Sequence, residues 1–318
     1  MDVLSRILDL VTVESTVSTR LEASGEWALR FPRVVHIKFG AVEHGEAWLG
    51  TGGEWRRLSA GDCFVIATDQ PYFVASDPSL EPVDGLPLFR RSTDGVARIG
   101  EGQGAAICGG RFVLDESSSR LLLDVLPPML VVPARGPEAS SLRATLELFS
   151  RETREPRAGS AVVASHLGPV VFVEAIRIAM NDRSAELRGW LGALRDERIG
   201  AAIHLMYEEP ARRWTVPALA EAVHMSRSSF AARFKDLVGS SPLEHLLMLR
   251  MQIAARALRD ESDTISSIGA GLGYTSDAAF SSAFKRVVGV PPREWRRDAR
   301  PASTEDVTDA RALRLGAA

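Results

Sequence analysis

Residues 226–242 read SRSSFAARFKDLVGSSP, and residues 276–292 read SDAAFSSAFKRVVGVPP. Both stretches follow the pattern S-x3-F-x3-F-K-x2-V-G-x2-P, so seven of seventeen positions agree in register at an offset of fifty residues. Agreement of this density within one chain indicates an internal structural repeat, which sets the architecture more strongly than any single motif. The carboxy-terminal third is therefore predicted to contain two copies of one unit.

Each copy is predicted to be a helix of about three turns. A serine (Ser226 or Ser276) can cap its first turn, and a glycine (Gly239 or Gly289) can end it in the left-handed region. Two phenylalanines four residues apart, followed by a valine, form one apolar stripe that is predicted to be buried. The opposite face carries mostly short side chains, which leaves two interpretations open: a helix that enters a groove, or a solvated face.

A shorter helical segment precedes each copy and favours the first interpretation. Thr215 and Pro217 suit the start of one such helix, and Gly273 supplies the turn after the other. Two helices joined by a three- or four-residue turn, the second of them capped, form a helix-turn-helix. The amphipathic stretch 242–259 is predicted to be a helix that joins the two units.

Residues 198–297 resemble the DNA-binding domain of the AraC/XylS family, and residues 250–295 match the signature of that family. The resemblance implies seven helices, two of which enter successive major-groove segments about 34 Å apart. It also implies sequence-specific transcription regulation, with double-stranded DNA and RNA polymerase as partners and activation as the expected sign. A nucleoid-type structural binder fits poorly, because the whole chain has a net charge of -3.

The same resemblance assigns individual positions. The residues that it places against the bases are Ser228, Ala231, Ala232, Asp277, Ala278, Ser281 and Ser282. The residues that it offers for phosphate contacts, which position a protein on DNA without specifying sequence, are Arg227, Arg233, Lys235, Lys285 and Arg286. The first helix lacks long polar side chains for bidentate base recognition. Readout there is expected from thymine methyl groups, serine hydroxyls or DNA shape.

Short β segments separated by turns between residues 20 and 113 predict a small barrel. This half resembles the cupin-type sensor domains that precede many AraC-like DNA-binding domains. The expected fold is therefore α+β and multidomain, a cupin-like barrel with a helical pair followed by an all-α domain. The predicted boundaries are 1–180 for a sensor and dimerisation domain, 181–197 for a linker, 198–300 for the DNA-binding domain and 301–318 for a disordered tail.

The barrel is expected to sense an effector, with two alternatives for its chemistry. A small organic molecule would bind in a pocket lined by inward side chains, for which the candidates are His36, Phe39, Trp48, Phe64 and Phe73. An oxidant would act through Cys63 and Cys108, although Leu21 stands where the resemblance implies a partner cysteine. Buried structural thiols and aromatics that merely fill the barrel explain the same residues.

A metal-dependent cupin enzyme fused to a DNA-binding module is the alternative function. Metal-binding cupins present a His-x-His pair, a glutamate and a later histidine, whereas His36 and His44 here are eight residues apart. No three ligands at suitable spacing emerge, so neither a metal nor another cofactor nor catalysis is expected.

The composition favours a cytoplasmic protein. Of the 318 residues 45% are hydrophobic and 25% charged, and no apolar run was found that has the length of a signal peptide or a membrane span. Residues 198–300 carry a net charge of +4 and residues 1–197 one of -6, which is compatible with phosphate binding at one end.

Two helical stretches, 142–155 and 161–180, are predicted to form a homodimer contact.

Overall fold

The computed structural model describes residues 3–10, 13–32, 37–92, 96–102, 104–114, 125–133, 139–155, 157–182, 187–259 and 263–298. The predictions for His36 and for residues 301–318 lie outside these ranges. The chain divides into two compact units, Val11–Leu191 and Gly192–Ala318, and Met1–Leu10 belongs to the second.

The first unit is a cupin-like β-barrel, as predicted. Its strands are β1 (Val13–Ala23), β2 (Ala28–Phe31), β3 (Ile37–His44), β4 (Glu46–Thr51), β5 (Glu54–Ser59), β6 (Cys63–Ile66), β7 (Tyr72–Ala75), β8 (Val83–Asp84), β9 (Val96–Ile99), β10 (Ala105–Leu114) and β11 (Met129–Val132). They form a six-stranded sheet, in the order β11-β6-β3-β10-β1-β9, and a five-stranded sheet, in the order β5-β4-β7-β2-β8. A short helix, Leu86–Arg91, lies between β8 and β9.

Alternation along the strands builds the barrel core. Leu21, Val42, Leu49 and Phe64 are buried in one cluster, because every second side chain of a strand points to the same face. The β4–β5 hairpin turns at Gly52 and Gly53, whose φ values of 61° and 85° lie in the left-handed region that such a two-residue turn requires.

The predicted helical pair is present as Ser140–Arg154 and Ser160–Asn181. The two helices pack on each other, and the longer one also packs on β1, β6 and β11. Contrary to our prediction that no segment has the character of a membrane span, Ser160–Asn181 is long and apolar enough for one by length and composition. Its buried residues from Ser160 to Ala179 recur at helical spacing on the side that meets the barrel.

Residues 189–193 of the predicted linker form a helix, in which the apolar Trp190 and Leu191 are buried. One predicted boundary differs from the structure. The amino-terminal helix Val3–Leu10, predicted as part of the sensor, packs on helices Glu197–Glu208 and Pro242–Ala257 of the second unit. Its apolar residues Val3 and Leu4 are buried, which removes them from water in that unit.

The second unit holds seven helices between residues 197 and 298 of the described chain, the number that the resemblance implies. They are Glu197–Glu208, Val216–Ala222, Arg227–Val238, Pro242–Ala257, Ile265–Gly271, Asp277–Val288 and Pro292–Asp298. Helix Pro242–Ala257 begins with a capping box between Ser241 and Glu244. Pro242 and Pro292 each occupy the first position of a new helix, where the missing N–H costs nothing.

Candidate nucleic-acid interface

The two recognition helices, Arg227–Val238 and Asp277–Val288, begin and end as the repeat predicts. Ser226 Oγ accepts a hydrogen bond from Ser229 N at 3.2 Å, and Ser276 Oγ accepts one from Ala279 N at 3.3 Å. Gly239 and Gly289 end the helices with φ values of 85° and 96°. Local sequence therefore determines the length of both recognition helices.

The buried stripe of each recognition helix fixes which face remains outside. Phe230 and Phe234, like Phe280 and Phe284, have no exposed surface. The rings of the second pair lie 5.9 Å apart and pack in a cluster with Met251 and other apolar residues of the connecting helix. Because both phenylalanines of a helix are fully buried, the helix cannot rotate about its axis without losing its core.

The face opposite each stripe is open and nearly without bulk. Five of the seven predicted base-facing residues are exposed, and Ala231 and Ser281 are partly exposed. The exposed five are Ser228, Ala232, Asp277, Ala278 and Ser282. A helix with such a face can bring its backbone close to the bases of a major groove, whereas long side chains would hold it away.

Four predicted phosphate-contacting residues are exposed: Arg227, Lys235, Lys285 and Arg286. In the described part of the chain none of these four forms an ion pair, so their charges remain available to an outside anion. Arg233 differs, because its guanidinium donates to Asp196 Oδ2 from Nε at 2.7 Å. Asp196 also caps helix Glu197–Glu208, so Arg233 ties the first recognition helix to the start of that helix.

Arg250 is a positioning residue that the sequence pattern did not single out. Its Nε donates to the Pro210 carbonyl at 2.7 Å and its Nη2 donates to the Arg212 carbonyl at 2.8 Å. Its guanidinium also lies 5.9 Å from the ring centroid of Tyr274, which belongs to the second helix-turn-helix. Arg250 thereby positions the two helix-turn-helix units relative to the connecting helix, and no periodicity in the sequence marks such a tie.

The turns inside the two helix-turn-helix motifs differ in length by one residue. The first runs from Val223 to Ser226, and the second from Leu272 to Ser276. In each turn the second residue after the helix adopts a left-handed conformation, His224 with φ 54° and Gly273 with φ 84°. A Cβ atom on Gly273 would lie 2.3 Å from the Ala211 carbonyl oxygen, so only glycine fits in the second turn.

We expect Gly273→Ala to lower the free energy of unfolding of the DNA-binding unit by about 2 kcal/mol or more. An alanine there would be strained in the left-handed backbone conformation, and its Cβ would clash with the Ala211 carbonyl oxygen. Gly271→Ala is the matched control, since it lies in the preceding helix and nothing lies within 4 Å of its added Cβ. It should be neutral or stabilise by about 0.5–1 kcal/mol. Urea titrations of both variants measure the difference, and equal midpoints would contradict the assignment of the turn.

The predicted aromatic pocket is wrong for three of its members. Of the four described members only Phe64 lies in the barrel core. Trp48 alternates with the inward Ala47 and Leu49, which places its partly exposed ring on the outside. Phe73 also points outward and meets the Trp55 ring at 5.9 Å. Phe39 points outward as well, and it packs at 5.3 Å against the Phe149 ring of helix Ser140–Arg154.

The two cysteines lie on the outer face of the six-stranded sheet. Both pair in register with Ala41 of β3, Cys108 from one side and Cys63 from the other. Two strand spacings, about 9.6 Å, therefore separate their Cα atoms, whereas a disulfide needs about 4.4–6.8 Å. A direct Cys63–Cys108 disulfide, which the oxidant alternative requires, does not fit this sheet.

The surroundings of the thiols also keep them protonated. Burial raises the pKa of Cys63 to about 12, and burial together with the Glu43 carboxylate raises the pKa of Cys108. Glu43 accepts hydrogen bonds from Arg20 and from Ser150 of helix Ser140–Arg154. Both thiols border a cavity of about 730 Å³ between the sheet and that helix.

We expect neither thiol of the native protein to react quickly with a maleimide at pH 7, because the thiolate is the reactive form. Both should react at once in denaturant, and Cys108→Ser should leave DNA binding unchanged after oxidant treatment. The measurement is the mass of the labelled protein over time. Rapid labelling of Cys108 in the native protein would contradict the conclusion that this thiol is buried and protonated.

The described residues contain no group of three His, Cys, Asp or Glu side chains that could hold a metal ion. Position His36, which the metal hypothesis used, lies outside the described residues.

Comparisons with known proteins agree with this architecture. A family profile described as Cupin matches residues 2–181, and one described as Helix-turn-helix domain matches residues 219–298. An AraC-like transcription regulator of Streptomyces lividans is 40% identical over 93% of this chain and 98% of its own. Another, of Streptomyces antibioticus, is 36% identical over 95% of this chain and 100% of its own. RclR of Escherichia coli K12, an RCS-specific HTH-type transcriptional activator, is 29% identical over 94% of this chain and 99% of its own.

These relatives are transcription regulators and not enzymes, so the metal-enzyme alternative is wrong. The open faces of the two recognition helices belong to a DNA-binding domain. The chain is a member of the AraC family of transcription regulators, with an amino-terminal cupin domain and a carboxy-terminal helix-turn-helix domain.

Proposed function

We propose that this regulator binds its operator sequence-specifically as a homodimer and responds to an effector through the cupin domain. One observation carries the DNA-binding part: two helices of one repeat bury their phenylalanine stripes and leave small-residue faces exposed. The exposed cations on the same helices supply phosphate contacts, which add affinity that falls with salt. Activation, with RNA polymerase as a partner in the cytoplasm, is proposed because the similar RclR is an activator.

The base contacts are proposed for the small-faced positions, with thymine methyl groups facing Ala232 and cytosine amino groups facing Asp277. Asp277 is the one acid among these residues, and an acid in the groove is tolerated where it accepts a hydrogen bond from a base.

Effector binding would shift the balance between conformations that differ in DNA affinity or polymerase contact.

Footprinting of the purified protein on the DNA upstream of its own gene tests this function. Moderate salt and an excess of competitor DNA isolate specific binding. Two protected major-groove segments about one helical turn apart per protomer are expected. If neither this DNA nor any member of a randomised DNA pool is bound selectively, the proposal of sequence-specific binding fails.

The homodimer is proposed for the outward side of the helical pair. Val162, Val163 and Val170 are 63%, 43% and 45% exposed on helix Ser160–Asn181, and Leu148 is 43% exposed on the neighbouring helix. Exposed apolar residues that recur on one helix face favour a protein partner, since burial gains about 25 cal/mol per Å². A second copy of the chain provides the same apolar surface in a two-fold arrangement.

We expect Val162→Glu combined with Val170→Glu to convert a dimer into a monomer at micromolar concentration, measured by sedimentation equilibrium. The charges would have to be buried without partners in the interface. Val83→Glu is the matched control, because this valine of strand β8 is 61% exposed and lies outside the helical pair. A wild-type monomer, or a double variant that still dimerises, would refute this interface.

A further inference from the structure

Two cations lie side by side within the barrel. Lys38 of β3 pairs in register with Arg111 of β10, so their side chains share a face of the sheet. That face is the inner one, because Lys38 Nζ lies 5.1 Å from the ring centroid of Phe31, a member of the barrel core. Lys38 Nζ also donates to Tyr72 Oη at 2.5 Å.

Neither cation has an acidic partner in the part of the chain that the structure describes. Arg111 Nε is buried and has no hydrogen-bond partner there. Burial, with a contribution from the charge of Arg111, lowers the pKa of Lys38 to about 8. Two neighbouring positive charges that are partly removed from water destabilise a fold unless an anion compensates them.

The Tyr72 hydroxyl completes a set of converging donors. Burial raises its pKa, so the hydroxyl stays neutral and keeps its proton. It accepts from Lys38, which leaves its own proton for another acceptor. An ammonium, a guanidinium and a phenol O–H therefore lie close together, and no carboxylate is described among them.

The surroundings of these donors are apolar and aromatic. The Phe31 ring stacks on Tyr72 with 4.7 Å between centroids and an interplanar angle of 9°, and Phe89 packs at 5.9 Å from Phe31. Met129 lies on the same core and is only partly buried. These surroundings match the apolar part of an organic ligand in chemistry, whereas a highly charged head such as a phosphate would be costly to dehydrate there.

We infer that this end of the barrel binds the carboxylate of an organic monocarboxylate, with Lys38, Arg111 and Tyr72 on the head group and Phe31 and Phe89 on the apolar part. The inference rests on the proposed effector response and gives the chemical class of the effector. It replaces the predicted aromatic pocket, of whose described members Phe64 alone lies inside the barrel.

The lysine content of the chain makes a direct test possible. Lys38, Lys235 and Lys285 are its only lysines, so protein grown on ¹³C,¹⁵N-lysine gives three side-chain signals. The Lys38 signal is identified by its loss in Lys38→Arg. The probes are acetate, benzoate, 3-phenylpropanoate and octanoate, each with the corresponding neutral amide, added to the full-length protein.

We expect the larger carboxylates to shift the Lys38 signal and raise its apparent pKa above 8, while the two signals from the recognition helices stay in place. Calorimetry should show at least about tenfold weaker binding of the amides, because an amide lacks the charge that strengthens the hydrogen bonds of a carboxylate. The preference should disappear in Lys38→Met and Arg111→Met and persist in Lys38→Arg. Arg56→Met is the matched control, because that arginine is 65% exposed. The Arg56→Met protein should bind carboxylates in preference to amides as the wild type does.

A second measurement separates this site from an ordinary ion pair. Without ligand, Lys38→Met and Arg111→Met should raise the melting temperature, since each removes an uncompensated charge. A lower melting temperature in both would reveal an acidic partner within the chain and overturn the inference. So would carboxylates that leave the Lys38 signal unmoved, or amides that bind equally well.

Footprinting distinguishes this inference from the proposed function. A carboxylate that binds and alters the footprint supports both. A carboxylate that binds without altering the footprint supports the site and contradicts its role as the effector site. A selective footprint together with no carboxylate binding overturns the site alone.

Discussion

Specific DNA binding is expected to be lost when Ala232 and Ser282 are both replaced with glutamate. Each substitution introduces a long negatively charged side chain on the open face of one recognition helix, where the wild type has a short exposed one. Disturbing the contact with one base pair typically costs about 1–3 kcal/mol, or roughly ten- to a hundredfold in affinity. The effects of two separate helices should add, so the double variant should bind its operator no better than unrelated DNA.

The single variants indicate which helix reads which half of the operator. In Ala232→Glu only one of the two protected segments should vanish, and in Ser282→Glu only the other. Ala201→Glu is the control for added charge, because Ala201 is exposed on helix Glu197–Glu208 of the same unit. Thermal unfolding of all these variants should stay within about 0.5 kcal/mol of wild type, as for surface substitutions generally. An unchanged footprint for both single variants would show that these faces do not enter the grooves.

The second large effect concerns the buried stripe of the second recognition helix. Phe280→Ala is expected to lower the free energy of unfolding by about 3–5 kcal/mol, because a fully buried ring leaves a cavity behind. The Phe280 ring is packed by Tyr274 at 5.5 Å and Phe284 at 5.9 Å, and a Cβ added to Gly269 would lie 3.0 Å from it. Such close packing leaves little room for collapse around the cavity.

Urea unfolding followed by tryptophan fluorescence measures this loss, since Trp295 lies 6.3 Å from the Phe284 ring and reports on the same cluster. Phe280→Leu keeps much of the volume and should cost less than about 1.5 kcal/mol. Because a whole domain is stable by about 5–15 kcal/mol, Phe280→Ala should also lose DNA binding near its lowered melting temperature. A decrease of less than about 1 kcal/mol in the free energy of unfolding would mean that Phe280 contributes little to the packing of this core.

Sequence alone determined the helix-turn-helix units, because their signals are local. A serine cap, a phenylalanine stripe and a left-handed glycine act within one helix, and the structure confirms them at Ser226, Phe230 and Gly239. The turn of the second unit also follows from its glycine at position 273. The cupin barrel was predictable at the level of strands and turns, since alternation and glycine pairs are equally local signals.

Only tertiary structure decided which side chains of the barrel face inward. Both faces of the six-stranded sheet are apolar, since helices cover the outer one, so Phe39 and Phe64 are indistinguishable in sequence but lie on opposite faces. Alternation gives the period of a strand, whereas the phase depends on which face meets the core.

Tertiary contacts also decided the role of individual charges. Arg233 is basic like its neighbours on the recognition helix, but Asp196, thirty-seven residues away, holds its guanidinium. Lys38 and Arg111 are seventy-three positions apart in the sequence and meet only because β3 pairs with β10. Charge interactions depend on distance and burial, which no local pattern in this sequence specifies, so the pairing of Lys38 with Arg111 became visible only in the fold.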